Sequence, residues 1–391
     1  MAVLHGLIDG ECFERWNQKG RLGHSQKMAR VSPYLVIGLA TVSTTVMAQD
    51  VTLGYSKVSG MAGAGLALRH EGTGAYPRNP AGLAYMQDFR LTNLDFGYVL
   101  DGIKFSKIGD FLHSFDKGGL DPSDLSQLAR DFGGNRTNFG LNARIAAGSS
   151  GVNLGVEGNA LVRTSPNAQL QQWVNSGADV NNPVPGMRLD GHGYGYSSIN
   201  VGYGRPVRTK TGTEMAVGAQ MRFVRSYYTH SYVSQNQIVN GGSTRATEMG
   251  NADVLSKSGF GMDVGWYMQS GEDKRVEYAA VLTNVIKPNV SFAGTEPDSL
   301  TPTTIDPFDR SINFGVGFTA EHGQVFAADL INVGTRNSDL RAGFDIPLSQ
   351  QFGVRAGYSG RGGFTAGVTA FNISLTFGTT NQFQAGTFFR F

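Results

Sequence analysis

A membrane-spanning antiparallel β-barrel of about fourteen strands is the fold class predicted by the 391-residue sequence. Three observations carry it. Apolar and polar residues alternate with period 2 in recurring segments of about ten residues. The connections between those segments alternate long and short, as they do in membrane barrels. The chain also ends in an alternating, aromatic-terminated segment in which Phe383, Ala385, Thr387, Phe389 and Phe391 share one face.

Composition excludes other classes. Lys+Arg 33 against Asp+Glu 31 gives a net charge of +2, too little to neutralise a phosphate backbone, so no nucleic-acid partner is expected. One cysteine excludes a disulfide scaffold and a multi-cysteine zinc site. The 54 glycines follow no G-X-Y period, which excludes collagen.

Taken in order, residues 1–48 read as a leader. Lys27 and Arg30 precede an apolar run from Tyr34, and Val46-Met47-Ala48 follows it. A basic flank, a short apolar run and a small-residue exit describe a secretory signal peptide, with the mature chain starting near Gln49. Residues 1–27 are polar and unpatterned, and Met28 is a second candidate start. Removing 1–48 takes away five basic and three acidic residues and Cys12, leaving 28 of each charge. Beyond Ala48 no stretch approaches the ~18 apolar residues of a membrane helix, so any membrane crossing must use strands.

Residues 90–391 supply the strands. Val152, Leu154 and Val156 oppose Asn153, Glu157 and Asn159, while Met215, Val217, Ala219, Met221 and Phe223 alternate with Gly218, Gln220 and Arg222. Phe260, Met262, Val264, Trp266 and Met268 behave likewise. Further segments start near Leu91, Thr137, Tyr194, Val276, Ser311, Gln324, Leu340, Gln351, Phe364, Phe371 and Phe383. The break near Phe371 leaves twelve and sixteen strands as alternatives. The polar face carries Asp95, Arg144, Glu157, Arg222, Asp263, Glu277, Asp345 and Arg355. Alternation alone fits a soluble sandwich equally well; the leader and the loops separate the two. With the first strand rising from the periplasm, 101–135, 164–191, 229–253 and 287–310 are long outer loops, and 148–151, 206–212, 270–274 and 321–323 are short inner turns.

Residues 49–89 do not alternate. They comprise a small-residue stretch, Ser59 to Leu68, a loop, and Pro77-Arg78-Asn79-Pro80-Ala81 before the first strand. This layout resembles the N-terminal hatch of the FadL-type outer-membrane transporters of long-chain fatty acids and aromatic hydrocarbons. It also resembles two relatives, the PorV-like barrels of protein secretion and the TraF-like barrels of plasmid conjugation. Ala328-Asp329-Leu330, Leu340-Arg-Ala-Gly-Phe and Val354-Arg-Ala-Gly-Tyr358 look closer to these relatives. The resemblance implies a fourteen-stranded barrel with a lumenal plug, its hatch residues being Gly60, Gly63, Gly65, Arg78, Asn79 and Pro80. Physically, irregular backbone at membrane depth is tolerated only inside protein or against a water-filled cavity. Pro80 holds Asn79 extended, and Arg78 and Asn79 can reach lumen carboxylates such as Asp95 or Asp329; the alternative is that the box only anchors the segment.

No enzyme chemistry is expected. His70, His113, His192, His230 and His322 form no H-x-x-x-H or H-E-x-x-H pair and mostly fall in predicted loops, so neither a metal nor a cofactor is assigned. No G-x-S-x-G motif occurs. In 110–132, Phe111, Leu112, Phe115, Leu125, Leu128 and Phe132 fit short amphipathic helices, which either cap the barrel mouth or form an apolar groove that captures a ligand. Arg144, Arg222 and Arg355 are candidate lumen anchors for a carboxylate head group. The expected function is uptake of hydrophobic small molecules; the alternative is a non-transporting barrel scaffolding a secretion or conjugation apparatus. Expected partners are outer-membrane lipid, the hydrophobic ligand, the barrel-assembly machinery reading Phe391, and, under the alternative, a secretion system.

Overall fold

The computed structural model describes residues 61–68, 78–101, 130, 137–179, 181–208, 213–240, 254–270, 275–295, 302–305, 308–335, 337–349, 351–371, 373–379 and 382–390. The leader, Gly60, the six apolar residues of 110–132 and Phe391 lie outside them.

Fourteen strands close into one antiparallel barrel. In chain order they are β1 (Arg90–Asp101), β2 (Thr137–Ser149), β3 (Val152–Pro166), β4 (Arg188–Arg208), β5 (Glu214–Ser234), β6 (Leu255–Ser270) and β7 (Val276–Ile286). Two short strands, β8 (Phe292–Thr295) and β9 (Pro302–Ile305), pair separately as a hairpin. The barrel resumes with β10 (Ser311–Thr319), β11 (Val325–Val333), β12 (Asp339–Pro347), β13 (Phe352–Ser359), β14 (Gly363–Ala370), β15 (Ile373–Gly378) and β16 (Gln382–Arg390). Closure is by β1 on β16, with Arg90 opposite Arg390 and Tyr98 opposite Phe383. Phe371 adopts a left-handed conformation (φ 53°) between β14 and β15, which separates them and makes the count fourteen.

The barrel is inverted relative to a soluble protein. Leu154, Ile199, Tyr203, Phe223, Phe314, Phe326 and Phe377 are exposed on its outside, whereas Asn153, Glu157, Asn200, Gln220, Asp263, Glu277, Asp329 and Arg355 are buried inside. An apolar band around a polar lumen is the arrangement a bilayer requires of strands. On β5 the apolar outward residues run up to Phe223; the next outward position is Arg225, opposite Ser197 and Ser258, which marks the upper edge of the band.

β4 and β5 have 21 residues each and rise well above that edge. They begin and end several residues inside the loops expected at 164–191 and 229–253. Above lipid neither face must be apolar, so alternation fades there although the ladder continues. On the face opposite Asp190 and His192, α1 (Ala168–Asn175) and α2 (Gln235–Asn240) form a small lobe. Its core is Leu170, Trp173, Ala178, Met187, Leu189, Val233 and Ile238. Asn167 caps α1 by accepting from Leu170 N–H at 2.9 Å.

Candidate functional site

The site is built on the inner wall from three groups of residues. One is a set of charge pairs distributed over several strands. Register places Arg144 directly opposite Glu157, and their side chains meet at 3.0 Å, with the Tyr196 hydroxyl donating to the same carboxylate oxygen at 3.0 Å. Arg222 pairs with Asp263, whose other oxygen accepts Asn284 N–H at 2.7 Å. Arg355 donates to Asp345, its direct cross-strand partner, at 3.1 Å, and also to Ser374 and Thr369. The three arginines expected in the lumen are therefore there, each paired with a carboxylate: Arg144 and Arg355 directly across the ladder, Arg222 diagonally. Arg341 and Asp339 form a fourth pair at 2.8 Å, which Ser359 completes.

Two N-terminal pieces sit against the wall. The first, 61–68, lies on β10 to β13. Gly65 and Leu66 donate their N–H groups to the buried Asp329 carboxylate, both at 2.9 Å from Oδ2. Arg78 stands 3.8 Å from the same oxygen and also donates to the Gly63 carbonyl. The wall is glycine where the segment passes: a Cβ at Gly343 would stand 2.6 Å from Met61, and one at Gly357 would collide with the Met61–Ala62 backbone. The second, a 3-10 turn over Pro80–Tyr85, lies on β4 to β6. Asn79 caps it by accepting from Ala81 N–H at 3.0 Å, and donates to the Trp266 carbonyl at 3.0 Å. Gly204, Gly218 and Gly265 give it room, since a Cβ at any of them would run into Pro80, Asn79 or Ala84.

Arg78 thus reaches Asp329, one of the two carboxylates expected for it, while Asn79 binds backbone instead. The Asp95 side chain is outside the described residues. What sequence reasoning missed is the wall: only the folded structure shows that glycines 204, 218, 265, 343 and 357 line two tracks. On the lipid side of β10 to β14, Ala328, Ala342 and Ala356 leave an open apolar groove of about 540 Å³ rimmed by Phe318, Phe326, Phe344 and Tyr358.

The third group lies above the lipid edge. His192 and His230 stand on β4 and β5 rather than in loops, with their rings stacked at 4.5 Å. Asp190 accepts from Arg188 at 2.7 Å and lies 3.1 Å from His230 Nε2, and His192 Nδ1 is 3.2 Å from the Tyr228 hydroxyl. Among the described residues no group of three or more potential ligands could hold a metal ion.

A family model described as "F plasmid transfer operon, TraF, protein" matches residues 120–375. No curated protein matches the chain. Several solved structures are similar at low identity. A TodX monoaromatic hydrocarbon channel mutant shares 12% identity over 86% of this chain and 97% of its own, with a TM-score of 0.46. The toluene transporter TbuX of Ralstonia pickettii shares 13% over 88% and 100%, with a TM-score of 0.36. Outer membrane phospholipase A of Escherichia coli shares 10% over 79% and 97%, with a TM-score of 0.28.

Proposed function

The chain belongs to the family of the F plasmid transfer operon protein TraF, and from that premise and the lumen geometry we propose an outer-membrane passage for small hydrophobic molecules, such as long-chain fatty acids, closed from within by its N-terminal segment. One observation carries the reading: 61–68 and 78–86 lie against the inner wall of the closed barrel on two glycine tracks, with Asp329, Thr365 and Asn79 among the side chains that bond them to it. A segment seated by close fit on bare backbone, and not covalently part of the wall, is suited to move as a hatch. In this reading residues 1–48 are the exported leader, 49–89 the hatch and 90–391 the barrel. The apolar residues of 110–132 gather ligand at the mouth, and Phe391 ends the strand read by the assembly machinery. No enzymatic role is proposed.

The test is uptake into liposomes carrying the purified barrel. Asp329→Asn keeps the shape but removes the charge facing Arg78 and the two N–H groups, and uptake of an oleate analogue or an uncharged hydrocarbon should rise several-fold. Empty-vesicle rates for both wild type and variant would sink the passage reading.

A second reading is favoured by the charge pairs and by the family's description. Arg144, Arg222 and Arg355 already have carboxylate partners, so a fatty-acid head group would have to compete for them. A scaffold of a secretion or conjugation apparatus needs no free lumen cation. Loss of plasmid transfer in a deletion strain, with hydrophobic uptake unchanged, would support it.

A further inference from the structure

On β5 the outward face changes character within one step. Phe223 lies in the apolar band beside Ile199 of β4 and Phe260 of β6, the two phenylalanine rings 5.4 Å apart. The next outward row is Gly158 of β3, Ser197 of β4, Arg225 of β5 and Ser258 of β6, each directly opposite its neighbour. Gly195, Tyr227 and Ser256 form the row after that. Two hydroxyls therefore flank one guanidinium at the edge of the band, among residues too small to cover it. A Cβ added at Gly158 would meet nothing within 4 Å, so the recess beside Ser197 is open.

Arg225 is held in place without being neutralised. Its Cζ lies 5.5 Å from the Tyr227 ring centroid, which keeps the guanidinium along the wall. Among the described residues no carboxylate pairs with it, in contrast to Arg144, Arg222, Arg341 and Arg355 inside the barrel. Thr229 is the outward position after Tyr227. It is 2% exposed, and its hydroxyl has no hydrogen-bond partner. A buried hydroxyl left unpartnered costs free energy that a bound polar group recovers.

A guanidinium flanked by hydroxyls suits a tetrahedral phosphate, which it meets through several charge-assisted hydrogen bonds. The apolar band directly beneath favours a phosphate attached to acyl chains over a free one. The connections at this end of β3 to β6 span 167–187 and 235–254, against 150–151, 209–213 and 271–275 at the other. Longer loops of outer-membrane barrels face outward, towards the leaflet in which phosphate is carried on sugar. We propose that Ser197, Arg225, Tyr227, Thr229 and Ser258 form a binding site for the sugar-linked phosphate of an outer-leaflet glycolipid, whose acyl chains lie on Ile199, Phe223 and Phe260. The site is on the lipid side of the wall, and it does not depend on what passes through the lumen.

The probe is bis-phosphorylated lipid A, titrated into the purified full chain in detergent and read as bound lipid by native mass spectrometry. Wild type should bind it about tenfold tighter than lipid A stripped of phosphate or phosphatidylglycerol, the effect of one charge-assisted contact. Arg225→Gln should lose about the same factor, and Ser197→Ala/Ser258→Ala about threefold. Arg205→Gln, which removes an outward arginine towards the other end of β4, opposite Val217, should bind as wild type does. Inorganic phosphate in excess should displace nothing, and heat-modifiable migration on gels checks that each variant is folded. Arg225→Gln or the serine pair binding as tightly as wild type, an equal loss in Arg205→Gln, undiminished binding of the dephosphorylated lipid, or no binding at all would each overturn the site. Phosphatidylglycerol binding as tightly as lipid A would overturn the glycolipid as its occupant, and displacement by inorganic phosphate would overturn a lipid altogether.

Discussion

His192 sits above the lipid edge, 1% exposed, with its ring against His230 and its Nδ1 on Tyr228. Burial first, and then the neighbouring His230, push its pKa down to about 4, against the opposing pull of Asp190. The folded protein therefore prefers the neutral imidazole. That preference is fully present above the ordinary value of 6.5 and is lost as pH falls from 6.5 towards 4, at a cost of up to about 3 kcal/mol. Hydrogen exchange at the upper ends of β4 and β5 should be faster at pH 4.5 than at pH 7.5, and His192→Gln should remove most of the difference; an unchanged pH response in that variant would place the cause elsewhere. Single residues were unevenly legible. Alternation put Arg144, Arg222 and Arg355 in the lumen because a strand's period is 2 wherever one face meets lipid. Their carboxylate mates depend on register between strands, which alternation within one strand does not specify.

The strands were read closely because each carries its own lipid-facing pattern. All fourteen barrel strands include or adjoin a segment with that signal. The lobe of α1 and α2 was not read. Its helices have eight and six residues, too short for periodicity, and they are stabilised by packing rather than by propensity. Trp173, fully buried with Nε1 donating to the Asp179 carbonyl at 2.8 Å, anchors that core. Trp173→Ala should cost the lobe about 3–5 kcal/mol, exposing 176–187 to protease while the barrel keeps its heat-modifiable migration on gels. Loss of the barrel itself would mean that the lobe and the wall are one cooperative unit.

The whole molecule is an apolar band closed around a polar lumen, and the two sides should respond oppositely to charge. Met221→Arg, on the outward face two positions below Phe223, should destabilise the barrel by about 2–4 kcal/mol in denaturant titrations in lipid. An inward arginine at Arg222, one residue along, is native. A negligible effect would place Met221 outside the hydrocarbon.

What the sequence determined by itself is the barrel and which residues of its strands face lipid, because a bilayer imposes the same local rule on every strand; the left-handed turn at Phe371 decided the strand number. Tertiary structure alone decided what lies inside. The glycine tracks under 61–68 and 78–86 and the cross-strand charge pairs join residues from several strands. Lumen contacts form across the barrel and leave no period along the chain.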